Sequence, residues 1–547
     1  MSVVTLSDVS NQVPTREGIN EYHANMPLVE GVQRFGAGWA RDRLEAVGDL
    51  VGSPEFQHWA EEAERHPPEL LTYDRIGRRV DEVYYHPAYH KVLSHAVNHG
   101  AHALAWREPR PGANVARAAI FMLFSQVEPG HGCPISMTHS AISVLRTTPS
   151  LAHEWEPRLT ALAYDPELRP VSTKPGALCG MALTEKQGGS DLRTTMTVAH
   201  PVDRAGSGEP YWLTGDKWFC SAPMSDVFLT LARTPEGVSC FALPRIRPDG
   251  RRNSVQIQRL KDKLGNRSNA SSEVTFQDAW AWMVGEPGRG VPLIMEMVTR
   301  DRLDCILGST AGMRQGVAEA MWYAEHRLAF GRHLVDQSLM ATVLADLCLE
   351  SEAATASALR LARAYDDEAD EQERLFRRVA TPVLKYWVCK RGAHHAAEAM
   401  ECLGGNGYIE TFPLARRYRE QPLLSIWEGS GNVVCLDVLR SLRVAGTLDA
   451  FLVELRAAAG THRQYDTFVD DLAADLRRPE DQERRARQLT ERMALALQGS
   501  LLLRFAPTPV AEAFCASRLV ADAYFEYGTL PSSIDVTPII ERHRGHD

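Results

Sequence analysis

Three textures of hydrophobic and polar positions alternate along the chain. Residues 1–175 carry apolar residues at helical spacing, with Ala- and Leu-rich runs such as Ala113 to Ser125 and polar punctuation at Glu128-Pro129-Gly130-His131-Gly132. Residues 176–290 switch to short segments rich in Val, Thr, Phe and Trp, such as Val227-Phe228-Leu229-Thr230-Leu231, separated by turns like Thr214-Gly215-Asp216. That pattern predicts a β-domain. Helical periodicity returns over 291–440, in runs such as Arg302 to His326 and Met340 to Ala364, broken at Phe330-Gly331 and at Gly404-Gly405-Asn406-Gly407. Residues 441–547 are also helix-patterned but carry 13 arginines and no lysine, so they read as an appended domain. The expected fold class is therefore α+β, in four blocks.

At 547 residues the chain is long enough for several cores. No apolar run approaches the ~18 residues that would span a bilayer, and the first twenty residues lack the basic start and apolar stretch of a secretory signal. A cytoplasmic protein without a membrane anchor is expected. Ten cysteines are scattered from Cys133 to Cys515 without a Cys-x-x-Cys pair, so reduced core thiols are expected rather than a zinc site or a disulfide framework. His95, His99 and His102 fall at i, i+4 and i+7 but have no carboxylate beside them, and no metal site is expected. The net charge of −10 opposes a chain coated for nucleic acid, so any such site must be local.

Candidate chemistry sits in four glycine-containing motifs. In Thr184-Glu185-Lys186-Gln187-Gly188-Gly189-Ser190-Asp191 two glycines let the backbone approach a flat ligand, and the hydroxyls of Thr184 and Ser190 can donate to carbonyl and phosphate oxygens. Lys217-Trp218-Phe219-Cys220-Ser221 places Phe219 and Ser221 two residues apart, on one side of a strand. His326-Arg327-Leu328-Ala329-Phe330-Gly331, followed by Gln337, combines a cation suited to pyrophosphate with an aromatic ring that can stack. Ser425-Ile426-Trp427-Glu428-Gly429-Ser430-Gly431-Asn432 sets a carboxylate directly after an indole. Taken singly, each is also explained as a turn, a strand core or a helix end.

Together, in this order and spacing, the motifs resemble the acyl-CoA dehydrogenase superfamily over roughly residues 30–440. Met181 to Asp191, Lys261-Asp262-Lys263-Leu264-Gly265-Asn266-Arg267-Ser268-Asn269-Ala270 and Ser425 to Asn432 are most similar to its adaptive-response, AidB-like branch. The resemblance implies a helical domain, a β-barrel-like domain and a helical bundle, with an extra C-terminal helical domain. It also implies an FAD between the β-domain and the bundle, completed by a neighbouring subunit in a homotetramer, a dimer of dimers. Met181, Leu183, Thr184, Ser190, Phe219, Cys220 and Ser221 then match cofactor contacts, with Phe219 replacing a tryptophan common in the metabolic enzymes. Arg327, Phe330 and Gln337 match residues reaching a neighbour's FAD. Ile426, Trp427, Gly429, Ser430, Gly431 and Asn432 match the loop beside the flavin. Glu401 stands where the family usually has glutamine.

In that family a glutamate at the Glu428 position removes the proton α to a thioester carbonyl while hydride leaves the β-carbon. Asp301, one methylene shorter, occupies the base position of the isovaleryl and long-chain branches and could equally cap a helix starting near Arg302. The AidB-like branch further implies a role in the response to DNA alkylation, with duplex DNA bound by block 441–547, an acyl-CoA or a small alkylating molecule as ligand, and at most weak isovaleryl-CoA dehydrogenation. The alternative is a metabolic short- or branched-chain acyl-CoA dehydrogenase. Within 441–547, 13 Arg against 16 Asp plus Glu gives −3, so a basic face requires Arg477, Arg478, Arg484, Arg485, Arg487 and Arg492 to segregate from the nearby acids.

Overall fold

The computed structural model describes residues 11–366, 370–478, 480–520 and 525–544. The chain groups into two compact units: residues 55–304, and residues 1–54 together with 305–547.

The unit 55–304 combines helices with a closed sheet. Helix Ala113–Ser125 is largely apolar and every one of its residues is buried, with Arg117 neutralised by Asp304, as a helix surrounded by core must be. Helix Gly132–Leu145 is nearly as buried although it carries Ser136, Thr138, His139 and Ser140, whose side chains find partners inside. The region expected to be mostly helical also contains an antiparallel hairpin, Glu69–Tyr73 with Arg79–Tyr84. Its strands alternate in burial, and Asp74 fixes the turn by accepting from the backbone of Ile76 and Arg78.

The expected β-domain is a seven-stranded sheet. Its two longest strands, Pro210–Ser221 and Ser271–Val284, run antiparallel, with Tyr211 opposite Ala281 and Lys217 opposite Val274. Strand Gly237–Pro244 pairs with both Ser271–Val284 and Val227–Thr234, which closes the sheet on itself and leaves fewer open edges. Its interior is packed by Leu213, Phe228, Phe241, Phe276 and Met283, each contributing about 1.5–3 kcal/mol of burial.

The other unit is helical. Ser338–Arg363, Glu371–Glu401, Pro413–Leu424 and Gly431–Leu442 pack together, and the helices after Leu442 join the same bundle, with Gln482–Phe505 against Ser338–Arg363, Glu371–Glu401 and Gly431–Leu442. Arg360 links the two sets by donating to Glu373 and to Glu454. Helix Gly290–His326 begins twelve residues before Arg302, so Asp301 lies inside it and does not cap it. Among the described residues no helix is long and apolar enough to cross a membrane, and all ten cysteines are buried thiols.

Candidate active site

In the unit 55–304, two of the sequence motifs meet. The strand containing Lys217 to Ser221 shifts register between Lys217 and Cys220, a bulge that spends an extra residue around Trp218 and Phe219. Phe219 consequently stands 51% exposed, unusual for a large apolar ring. The Trp218 N–H donates to the Thr184 carbonyl at 2.7 Å, tying this bulge to the glycine-rich loop. The Ser221 hydroxyl lies 3.1 Å from that of Ser271. Cys220 is turned into the sheet core, where burial pushes its thiol up to about 12, so its side chain is withdrawn from the loop surface.

Glu185 holds the loop in place, a role hidden in the sequence because all its partners but Gln187 lie 11 to 32 residues away. Its buried carboxylate accepts from Lys217 Nζ at 2.7 Å, from the Thr197 hydroxyl and Met196 N–H at 2.6 Å, and from Gln187 Nε2 at 2.6 Å. Burial opposes its charge, but Lys217 and these donors prevail and bring its pKa down to about 2. Burial also lowers the Lys217 pKa against the pull of Glu185. At Gly189 a Cβ would lie 2.4 Å from Thr184 Oγ1, so this glycine is required by close approach. Ser190 is exposed, Thr184 and Met181 are half-buried, and Leu183 is buried.

Asp301, on helix Gly290–His326, is buried, and its Oδ1 accepts from the Ser136 hydroxyl at 2.9 Å and the Ser140 hydroxyl at 2.7 Å. This carboxylate is held by two donors of the neighbouring helix.

The helical unit carries the remaining candidates. Glu428 is half-buried in a loop with φ +57°, a conformation uncommon for a residue with a side chain, and Gly429 follows at φ +109°. Buried Lys385 donates to the Gly429 carbonyl at 2.6 Å, fixing the loop directly after Glu428. The Trp427 indole nitrogen is buried without a hydrogen-bond partner among the described residues, and Ile426 is exposed. Asn432, beyond Ser430 and Gly431, accepts from Arg487 Nε at 2.9 Å.

Arg327, Phe330 and Gln337 cluster at a small hairpin, Leu328–Ala329 with Arg332–His333. Phe330 (φ +52°) and Gly331 (φ +80°) form its tip, the positive-φ pair of a two-residue turn. Phe330 is 98% exposed. Gln337 Nε2 donates to the Ala329 carbonyl at 2.8 Å, and the Arg327 guanidinium donates to the Asn11 carbonyl. Glu401, the last residue of its helix, is exposed.

The arginines of 441–547 are largely engaged with nearby groups. Arg478 and Arg485 each approach Asp475 at 3.1 Å, and Arg492 pairs with the same carboxylate. Arg477 donates to the Ala473 carbonyl, Arg487 serves Asn432, and Arg484 is exposed. The three histidines do not share one helix face: the helix ends at Asn98, His99 forms its C-cap, and His102 lies beyond it against the Ala161 carbonyl.

Comparison with known proteins places these features in one group. Residues 11–166 match the model of the adaptive response protein AidB N-terminal domain, 180–279 that of the acyl-CoA dehydrogenase middle domain, and 288–443 that of the acyl-CoA dehydrogenase C-terminal domain. The chain is 46% identical to the putative acyl-CoA dehydrogenase AidB of Escherichia coli K12, over 93% of both chains. It is similar in structure to acyl-CoA dehydrogenase ACDH-11 of Caenorhabditis elegans, solved in complex with C11-CoA, at TM-score 0.87 and 26% identity over 96% of this chain and 95% of that one. A glutaryl-CoA dehydrogenase from Mycobacterium smegmatis, solved in complex with FADH2, shares the fold at TM-score 0.59 and 19% identity over 77% of this chain and 98% of its own.

Proposed function

The chain belongs to the acyl-CoA dehydrogenase family, and from that premise we propose that it binds FAD and dehydrogenates an acyl-CoA thioester with Glu428 as the base. The observation carrying this reading is the Glu428 loop, strained at the carboxylate and pinned behind it by Lys385. The residues suit a flavin. Phe219 is a broad exposed ring two residues from Ser221, and the Trp427 N–H is buried without an acceptor among the described residues. In the unit 55–304 the cofactor contacts we assign are Thr184, Ser190, Phe219 and Ser221, and in the helical unit those of the Ile426 to Asn432 loop. Arg327, Phe330 and Gln337 would reach that of a second copy within a tetramer, which accounts for an almost fully exposed phenylalanine in a left-handed conformation.

FAD supplies the acceptor for the hydride leaving the β-carbon. The Glu428 carboxylate takes the α-proton, so the two C–H bonds are replaced by a carbon–carbon double bond conjugated to the thioester. Lys385 restricts the loop and thereby the position of that carboxylate, which matters because a base must come within hydrogen-bond reach of its proton. Asp301 accepts two serine hydroxyl bonds from the neighbouring helix, which fix its side chain, and we assign it a structural role. The Trp427 indole narrows the acyl end and favours short branched chains. Anaerobic mixing with isovaleryl-CoA and with C11-CoA tests this: bleaching of the flavin by the short branched ester is expected, and the absence of bleaching by either ester would refute the assignment.

A second reading, protection of DNA against alkylation, is favoured by the match of residues 11–166 to an adaptive-response protein. Its DNA contact is assigned to Arg477, Arg478, Arg484, Arg485 and Arg487. Supporting this, Arg478 and Arg485 of this set gather with Arg492 around the single Asp475 carboxylate. Salt-dependent retention on duplex DNA that survives replacement of these arginines by glutamine would remove this placement.

A further inference from the structure

The hairpin Glu69–Tyr84 leaves helix Pro54–Arg65 at one end and enters helix Pro87–Asn98 at the other, so residues near 66 and 86 form its two roots. At that junction Glu62, His66 and His86 each present a ligand-capable atom within 4.8 Å of the other two. The imidazoles of His66 and His86 lie nearly parallel, with centroids 4.6 Å apart and planes 16° from each other. Two imidazoles and one carboxylate are a donor set for a borderline divalent transition metal, whereas calcium and magnesium prefer oxygen alone.

The surroundings prepare at least one ligand. His66 Nδ1 lies 3.0 Å from the Glu62 carbonyl and 3.6 Å from its carboxylate, so an N–H there is held on Glu62 and leaves the Nε2 lone pair to take a metal as the ring turns. His86 Nδ1 receives the Ala88 N–H at 3.3 Å, a long bond at a helix start. Metal at Nε2 leaves the remaining ring proton on Nδ1 and gives up that contact, whose donor sits in the first turn where no intrahelical partner is lost. Arg65, 3.6 Å from Glu62, is half-exposed and free to swing into solvent.

We propose that Glu62, His66 and His86 bind one zinc-class divalent ion that staples the two roots of the hairpin. Its consequence is structural. Pro67 and Pro68, directly after His66, line an open pocket with Lys261, Lys263 and Arg267, and Lys261 Nζ stands 4.9 Å from the centre of the Phe219 ring. A fixed hairpin root therefore steadies one wall beside the residue assigned to the flavin, while the metal itself takes no part in the redox step.

Equilibrium dialysis of the tag-free full-length protein against Zn(II), with Co(II) absorption as a second probe, tests the site. One equivalent per chain is expected, with affinity reduced at least about tenfold in His66→Gln and in Glu62→Gln, and unchanged in His95→Gln, a histidine stacked on Trp59 outside the cluster. Amide exchange over residues 69–84 is expected to slow when Zn(II) is added to the wild type and to remain unchanged in His66→Gln, whose exposed side chain makes misfolding a poor explanation. Failure of the wild type to bind Zn(II), or equal binding by His66→Gln, would overturn the proposal. Neither readout depends on flavin content or on acyl-CoA turnover.

Discussion

Two carboxylates, Glu185 and Asp475, each gather several donors, yet they do different work. Glu185 lies inside the β-domain and holds one buried lysine, two backbone N–H groups, a threonine hydroxyl and a glutamine amide. Asp475 lies near the surface of the helical unit and faces three arginines, of which Arg478 is 62% exposed. Water screens the second set and leaves it individually weak, whereas the first is desolvated and each missing partner strands a buried charge. The contrast explains why the first network can fix the glycine-rich loop and the second can only bias a surface.

Removing Lys217 should expose this difference most. Lys217→Met leaves Glu185 buried and uncompensated, with an expected loss of about 3–5 kcal/mol in denaturant unfolding and loss of bound flavin. A change below about 1 kcal/mol would show that the Glu185 network is no stiffer than a surface pair. Gly189→Ala drives a methyl into Thr184 without touching any charge, and should cost about 1–3 kcal/mol while weakening FAD retention. Asp475→Asn should change stability by only about 0.2–1 kcal/mol, with an effect that shrinks at high salt.

Acid titration sharpens the same contrast. The Glu185 pKa is depressed in the folded state, so its stabilising contribution is complete above the ordinary value of 4.5 and is lost as pH falls from there through about 2. Release of flavin in that window is expected to be steeper in the wild type than in Glu185→Gln, measured by the appearance of free FAD fluorescence; identical profiles would exclude Glu185 as the acid-sensitive anchor.

The glycine-rich loop and the strand after it were legible because each signal is local: adjacent glycines, alternation, and an aromatic two residues from a hydroxyl. Their mutual pinning was not, because Glu185 and Lys217 are 32 residues apart and only the sheet brings them together. The hairpin Glu69–Tyr84 was hidden inside a stretch of helical texture, since five- and six-residue strands carry little periodicity of their own. Helix Gly290–His326 starts earlier than expected because Glu286-Pro287-Gly288-Arg289-Gly290-Val291-Pro292 reads as a breaker, although Pro292 is harmless in a first turn. Block 441–547 stood out by its arginine usage, but composition does not say what a helix packs against, and its long helix Gln482–Phe505 lies on the bundle.

Stopped-flow reduction of the flavin by isovaleryl-CoA tests Glu428 as the base directly when wild type, Glu428→Gln and Asp301→Asn are compared at equal FAD content. Glu428→Gln should slow the reduction by about 10²–10⁴-fold, while Asp301→Asn, if it folds and binds FAD, should retain a rate within about tenfold of wild type. Full-speed reduction in Glu428→Gln would contradict the assignment, and its collapse in Asp301→Asn alone would move the base to the other carboxylate.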